Sequence, residues 1–575
     1  MASSAGPMAS ASASAGKRTS SSASKQPKRT KRERNMGEGS ADQVLRFDVE
    51  ALLSSVSPDL WETNPSNDPT LLKPFSEIQV DIVDISANGE GLGLFPSQPN
   101  HVYTVPFTVP GDKAKIRIVH LGASDHHSTA DLVAVVEPSP LRSDSRARCR
   151  YFGRCGGCQY QMLEYSEQLR LKRLVIVKAY QRFAHLPDHL ISPIGETIAS
   201  PLQYGYRTKL TPHFDGPPSA SRRPRKKRQG EPRPAFEACP DIGFLRKGRR
   251  SVLDIEDCPI ATAAIRQGLK RERERIRNDF ANYSRGATIL LRENTHRYDD
   301  ASVPNPPDPN AIRVEGDGFV DFKTCETDSK AITTEYIDKH IFTNPAGAFF
   351  QNNNSILPVF TAYVRDNILP PSVSSSSSSS PSPPPADSPF YLIDAYCGSG
   401  LFTVTLASLF TRSTGIDVAA DSIESARSNA ALNGLTEDRC RFIAADARDL
   451  FREIEYPPDR TVVVLDPPRK GCDGDFLDQL TRYRPRRILY VSCNVNTQAR
   501  DVGCLVRGKA GGAAYRLRSL VGFDFFPQTA HVEGVAILDR YDGEDGNGAD
   551  GRGDEANGSD VCSNKEVEES TPKTS

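Results

Sequence analysis

Cys493 and Glu533 are the side chains whose types and placing could do covalent chemistry together. Cys493 follows the apolar run Arg487-Ile-Leu-Tyr-Val-Ser492 and precedes Asn494, Val495, Asn496 and Thr497. Glu533 stands in His531-Val532-Glu533-Gly534, where the last apolar run begins. A thiolate can add to an electron-poor carbon, and a separate carboxylate can take the proton that must leave afterwards. An isolated cysteine is usually a small buried hydrophobe, and a Glu before a strand is usually a surface residue. Cys493 is set apart by its place at the end of a strand that should belong to a ligand-bearing sheet edge.

Other residues of that edge read as a nucleoside-cofactor site. Asp394-Ala-Tyr396-Cys397-Gly398-Ser399-Gly400 closes one apolar run and opens a helix-like stretch, Leu401 to Phe410. A glycine turn there lets a ligand approach the backbone. The next run ends at Asp417, an acid at the spacing that suits ribose hydroxyls, and the third at Asp446, a partner for an adenine amino group. There is no Gly-x-Gly-x-x-Gly to cradle a pyrophosphate, so S-adenosylmethionine suits the pattern better than NAD. The plainer alternative makes Asp417 and Asp446 helix caps. The fourth run ends at Asp466-Pro467-Pro468-Arg469, where two prolines force an extended loop. Arg469 occupies the place of the aromatic found in enzymes that methylate exocyclic amines, which argues against that reaction.

With a methyl sulfonium as donor, uracil is the base that needs Cys493 and Glu533 together. Its C5 is a poor nucleophile. Thiolate addition to C6 makes an enolate with charge on C5 and O4, and C5 can then attack the methyl group. A base removes the C5 proton, and the thiolate leaves by β-elimination. The base must be unstacked to reach the thiol, which a single-stranded loop of RNA supplies at lower cost than a duplex.

Cys149, Cys155 and Cys158, with Gly156-Gly157 between the last two, could wrap a metal centre. A fourth ligand is needed, and Cys258 in Asp257-Cys258-Pro259 suits better than Cys239 beside a basic insertion. Spacing leaves zinc, an iron–sulfur cluster and plain buried thiols open.

These residues need elements to hold them. Apolar runs at 391–395, 413–417, 441–445, 461–465, 487–492 and 533–538 alternate with helical segments, which predicts an α/β, mostly parallel, doubly wound sheet. Residues 77–85 alternate polar and apolar, Gly89, Gly91 and Gly93 interrupt, and β-like runs follow at 101–109, 113–120 and 129–136. This predicts a small, OB-like five-stranded barrel. Tyr160 to about Phe183 is helical in pattern, and 201–345 reads as mixed α+β.

The expected organisation is a disordered basic tail over 1–70 and a barrel over 72–140. A central domain follows over 141–345, with a basic insertion near 216–235. The catalytic domain covers 346–540 with a Ser/Pro linker at 371–388, and an acidic disordered tail covers 541–575.

The net charge of -1 conceals opposite ends: residues 1–40 sum to +6 (eight Lys/Arg, two Glu), and 541–575 sum to -7 (three Lys/Arg, ten Asp/Glu). The run Lys28 to Arg34 reads as a nuclear address, an RNA-attracting arm or a plain solvated tail. Nuclear or cytoplasmic residence is expected, with a mitochondrial presequence as the alternative. No stretch reaches the roughly 18 apolar residues of a membrane helix, and nothing marks an obligate protein partner. Twelve cysteines without a secretory leader point to a reduced compartment.

Ser492-Cys493-Asn494 with Thr497, Ala499, Arg500 and Asp501, and Asp524-Phe-Phe-Pro-Gln-Thr-Ala-His-Val-Glu533, closely resemble the motifs of the RNA 5-methyluridine methyltransferases. The resemblance spans about 75–540. It implies Cys493 as nucleophile and Glu533 as proton acceptor. It also implies Gln351, Tyr396, Asp417 and Asp466 as S-adenosylmethionine contacts, and a TRAM RNA-binding barrel over 72–140. A [4Fe-4S] cluster at the four cysteines is favoured over zinc. Val495 departs from the family's proline, and Leu401 from an Asn of some members. The linker and insertion point to a eukaryotic, fungal-type member acting on tRNA, through the T-loop uridine 54. Ribosomal RNA as substrate, or an RNA chaperone with a dead catalytic domain, are the alternatives. Cytosine-C5 methylation suits less well, because those enzymes place the nucleophile in a Pro-Cys or Thr-Cys context.

Overall fold

The computed structural model describes residues 37–56, 72–122, 126–217, 236–298, 308–370, 390–445, 451, 454–508 and 514–542. Asp446, the 371–388 linker, most of the basic insertion and both charged ends lie outside these residues. The chain separates into Met1–Gly37 and Glu38–Ser575. Everything below concerns the second unit.

Five strands, Glu77–Ile85, Gly91–Phe95, Gln98–Val105, Lys113–His120 and His127–Glu137, close into a barrel. The third and fifth pair in parallel, and the other pairings are antiparallel. Val80, Ile82, Tyr103, Val105, Ile116 and Ile118 fill it. Gly91 and Gly93, two of the three glycines that interrupt the pattern, are inside the second strand. A Cβ on Gly91 would fall 2.1 Å from the Thr108 hydroxyl, and one on Gly93 would fall 2.8 Å from a Val80 methyl. The barrel closes too tightly there for any side chain.

The tail expected over 1–70 contains a helix, Ala41–Val56. Val44, Val49, Leu52 and Leu53 are buried on it. Composition suggested disorder because the preceding residues are Ser- and Ala-rich, but the apolar positions of 41–56 recur at helical spacing.

The central region starts with the helix Tyr165–Phe183. It continues through two four-stranded sheets and a hairpin, Ile332–Ile337 with His340–Pro345. The helix Ala263–Asp279 buries Ile265, Leu269 and Ile276 against Leu210, Phe214 and Leu291.

The C-terminal sheet has seven strands, in the order Cys440–Ala444, Arg412–Asp417, Tyr391–Ala395, Thr461–Leu465, Arg487–Ser492, Glu533–Tyr541, Ala514–Phe523. The first five are parallel, and Glu533–Tyr541 alone runs against them, pairing antiparallel with both its neighbours. The chain reverses its direction of winding around Tyr391–Ala395, which is where ligands sit in such sheets. Thr461–Leu465 and Arg487–Ser492 are buried along their whole length, as central parallel strands covered on both faces must be. The strand Ala514–Phe523 was not expected. Residues 194–198 lie along it, with Gly195 donating to Leu520 O at 2.9 Å and Ile198 to Gly522 O at 2.7 Å, which covers an edge.

Candidate active site

Strand ends assemble the site. Arg487–Ser492 runs antiparallel to Glu533–Tyr541 with Ser492 opposite Gly534. Cys493, one residue past the first strand, therefore stands beside Glu533, the first residue of the second. Asn494 caps the helix Val495–Arg507, its side chain accepting from Asn496 N. Gln498 on that helix donates to Tyr490 O at 2.8 Å and Gly534 O at 3.0 Å, tying helix to both strands.

Arg469 is the residue that sequence reasoning missed. It was weighed only as a missing aromatic. In the structure its charge acts on Cys493 and Glu533 alike, lowering both. A cation at the end of Asp466-Pro-Pro was the available signal. Its backbone is fixed: Asn494 Nδ2 donates to Arg469 O at 2.9 Å and the Thr497 hydroxyl at 3.1 Å. Arg500 Nη2 donates to Lys470 O and Cys472 O, both at 3.1 Å. Asp501 accepts from Cys472 N at 2.8 Å and Tyr490 OH at 2.6 Å.

The electrostatics oppose one another. Burial, then the charge of Glu533, push the Cys493 thiol up to about 11, while Arg469 pulls it down. Burial and the charge of Asp466 push Glu533 well above the carboxylate range, and Arg469 again opposes. Burial also raises Asp466 to about 7, helped by Asp394. Desolvation, with Arg469, Lys172 and Arg207 adding, drives the His531 ring down to about 4, so it is neutral at physiological pH although its edge is exposed.

The loop leading to Glu533 hangs on a buried ion pair. Lys172 Nζ lies 2.6 Å from Asp524 Oδ1, with neither side chain exposed. It also donates to Phe526 O at 3.0 Å and His531 O at 2.6 Å. These bonds satisfy the buried ammonium.

Asp417 sits on the glycine turn. Its Oδ2 accepts from Gly398 N at 3.0 Å and its Oδ1 from Ala419 N at 2.8 Å, which leaves lone pairs on both oxygens for a ribose. Gly398 and Gly400 have positive φ and keep that backbone bare. Tyr396, at φ 65°, turns against Phe476. Asp394 is fully buried; its Oδ2 accepts from the Thr403 amide and hydroxyl, while Oδ1 has no partner. An orphaned acceptor beneath the turn and carboxyls at two neighbouring strand ends fit a cationic nucleoside. Gln351 is half-buried just after the hairpin, and Asn353, two residues on, donates to Phe525 O at 3.2 Å.

Cys149, Cys155, Cys158 and Cys258 share one neighbourhood, since the charges of the other thiols raise Cys158 and Cys258. Among the described residues, however, no three His, Cys, Asp or Glu stand where they could hold a metal. Burial, above all, raises Cys158 and Cys258 to about 12. The residues as placed do not fit the expected zinc or [4Fe-4S] centre.

Residues 386–541 match the family profile described as tRNA (Uracil-5-)-methyltransferase. The tRNA (uracil(54)-C(5))-methyltransferase of Saccharomyces cerevisiae is 39% identical over 86% of this chain and 81% of its own length. That of Schizosaccharomyces pombe is 41% identical over 87% and 84%. A crystal structure of the Pyrococcus abyssi tRNA (uracil-54, C5)-methyltransferase with S-adenosyl-L-homocysteine superposes with a TM-score of 0.52 at 23% identity. It covers 80% of this chain and all of that one, and it shares the fold. A cysteine and a carboxylate on adjacent strand ends, beside a nucleoside-shaped turn, are thus carried by a chain that belongs to the tRNA (uracil-5-)-methyltransferase family.

Proposed function

We propose that this protein methylates C5 of a uridine in tRNA, uridine 54 of the T-loop, using S-adenosylmethionine. The observation that carries this is the pairing of Ser492 with Gly534, which sets Cys493 beside Glu533, with the charge of Arg469 acting on both. The relatives named above act, by their names, on uracil 54 of tRNA.

Gln351, Tyr396, Asp417 and Asp466 would hold the cofactor, with Asp446 as a further contact to its adenine. When bound, S-adenosylmethionine supplies an electrophilic methyl group. Arg469 steadies the Cys493 thiolate, which adds to C6 of the uracil. The displaced π pair moves to C5 and O4. C5 takes the methyl group. Glu533 accepts the C5 proton, and the pair of that C–H bond re-forms the C5–C6 double bond as the Cys493–C6 bond breaks. The sequence of steps restores the thiolate and leaves 5-methyluridine.

The barrel over 72–140 is read as a TRAM-type RNA-binding module, and 141–345 and 346–540 as central and catalytic domains. No helix among the described residues is long and apolar enough to cross a membrane. The basic run Lys28 to Arg34 supports work in the nucleus and cytoplasm, with mitochondrial import as the alternative.

The test is methyl transfer from labelled S-adenosylmethionine onto unmodified tRNA and rRNA transcripts, with nucleoside analysis. Labelled 5-methyluridine in tRNA, lost when uridine 54 is replaced, is the expected result. Label in rRNA alone overturns the substrate, and label in neither overturns the activity.

A further inference from the structure

The chain just ahead of the barrel is fastened to the corner that carries the nucleophile. Glu38 Oε2 lies 3.4 Å from Arg500 Nη1, and Gly39 O accepts from Asn494 Nδ2 at 3.4 Å. Gly39 sits at φ 69°, and a Cβ there would fall 2.9 Å from the Thr497 methyl. Only glycine lies this close in this conformation. Asn494, Thr497 and Arg500 are three of the four side chains, Asp501 being the fourth, that hold the backbone of residues 469–472. Each of the three therefore touches residues 38–39 on one side and the Arg469 loop on the other.

The far end of this segment is anchored firmly. Gly39 N donates to Gln43 Oε1 at 2.7 Å as the helix Ala41–Val56 begins. Val49, Leu52 and Leu53 pack with Leu92 and Val102 of the barrel, and Phe47 meets Phe183 edge-on at 5.4 Å. The buried Asp48 carboxylate accepts from Arg182 at 2.8 Å and from Ala87 N at 2.8 Å, and Lys178 stands 3.2 Å away. The barrel and the central helix Tyr165–Phe183 thus hold one end, and the nucleophile corner receives the other.

We propose that Glu38, Gly39 and Ser40, with the helix that follows, form a positioning strap that holds Asn494, Thr497 and Arg500 so that Arg469 faces the Cys493 thiol. Glu38 and Gly39 are positioning residues, since they reach the thiol only through these side chains. The strap also joins the barrel to the reacting corner, so a load on the barrel is felt at Arg469. This inference rests on Cys493 being the nucleophile.

Four chains test it against the full protein: one beginning at Gly37, one beginning at Ala41, Gly39→Ala, and Gly39→Ala with Thr497→Ser. Each is assayed for kcat and KM on tRNA. Each is also assayed for the pH dependence of iodoacetamide alkylation at Cys493, read by peptide mass. The chain beginning at Gly37 is expected to match the full protein. The chain beginning at Ala41 and Gly39→Ala should lose about three- to tenfold in kcat at unchanged KM. Their alkylation midpoint should move to higher pH, because Arg469 no longer steadies the thiolate. Thr497→Ser removes the obstructing methyl and should recover part of the Gly39→Ala loss. If the Ala41 chain melts normally and keeps kcat and midpoint, the strap does not position the corner. If that chain does not fold, Gly39→Ala decides the question by the same readouts. Absence of methyl transfer in the full protein, with a normal alkylation profile, would count against the proposed activity and not against the strap.

Discussion

The nucleophile corner and the four-cysteine neighbourhood hold the same chemical group in similar burial and differ in what faces it. Burial raises the thiol in both: Cys493 to about 11, Cys158 and Cys258 to about 12. Cys493 has the charge of Arg469 acting on it, from a loop held by Asn494, Thr497 and Arg500. The charges that act on Cys158 are those of the other thiols, which push it further up, opposed by the neutral Gln161 side chain; Arg207 and Arg150 act on Cys258 and Cys149 only as the smallest of the influences on each. A perturbed thiol is therefore not yet a reactive one. The cation beside it, and the bonds that keep that cation in place, make the difference.

Removing the sulfur from each region is the sharpest way to break this comparison. Cys493→Ala should cost about ten-thousand-fold or more in kcat/KM, roughly 5 kcal/mol of transition-state stabilisation. Cys158→Ala should leave kcat within about twofold. Both are read by methyl incorporation into tRNA. Equal losses would mean that the cysteine neighbourhood takes part in the reaction.

Glu533 sharpens the corner's half of the comparison by separating its two steps. Glu533→Gln keeps the shape and removes the base, so addition and methyl transfer proceed while elimination stalls. The turnover rate should fall about a hundred- to ten-thousand-fold. A Cys493–tRNA adduct carrying the labelled methyl should persist on a denaturing gel. A variant equally slow that accumulates no adduct would move the role of Glu533 to an earlier step.

Arg469→Ala tests the feature that distinguishes the two regions. The guanidinium favours the thiolate, so its loss raises the Cys493 pKa and moves the alkylation midpoint to higher pH. At pH 8 the variant should alkylate more slowly than the parent, with the two converging at high pH. The expected loss in kcat is about ten- to a hundredfold. Arg469→Lys, which keeps the charge but not the fork, should recover part of it. An unmoved midpoint would leave burial as the only influence on this thiol.

The sequence showed the pieces of this corner better than their contacts. Six strands of the catalytic sheet were legible because buried parallel strands read as continuous apolar runs, and their ends located Cys493, Glu533, Asp417 and Asp466. Ala514–Phe523 was not legible, since Arg516, Arg518 and alternating burial interrupt its apolar signal. The strand Gly91–Phe95 was hidden because its glycines answer to neighbours on other strands, Thr108 and Val80. Helix Ala41–Val56 was overlooked in a span judged by its overall composition. Arg469 shows the general limit: its type and number are in the sequence, but its facing Cys493 depends on Asn494, Thr497 and Arg500 folding back over the preceding loop. The cysteine spacing likewise announced a cluster, and the four thiols do share one neighbourhood, yet spacing carries no information on whether their sulfurs converge on one point.

The smallest effects belong to the cysteine neighbourhood, and they complete the comparison. Cys258 is half-buried and packs with the core around Leu269 and Leu291. Cys258→Ser places a hydroxyl where a thiol now lies against apolar side chains. The expected cost is about 1–2 kcal/mol, seen as a melting temperature lower by a few degrees. The kcat of the folded fraction should stay within about twofold. Treatment of the purified protein with a chelator should likewise leave kcat unchanged, because no reacting group of the corner is bonded to these thiols. The neighbourhood is linked to the corner through Gln159 and Tyr160, which follow Cys158: both donate backbone N–H to Gln528 O, at 2.9 and 3.1 Å, five residues before Glu533, and the Gln159 side chain accepts from Ala530 N at 3.3 Å. If Cys258→Ser lowered kcat without lowering the melting temperature, that link would carry more than structural support, and the two regions would have to be treated as one site.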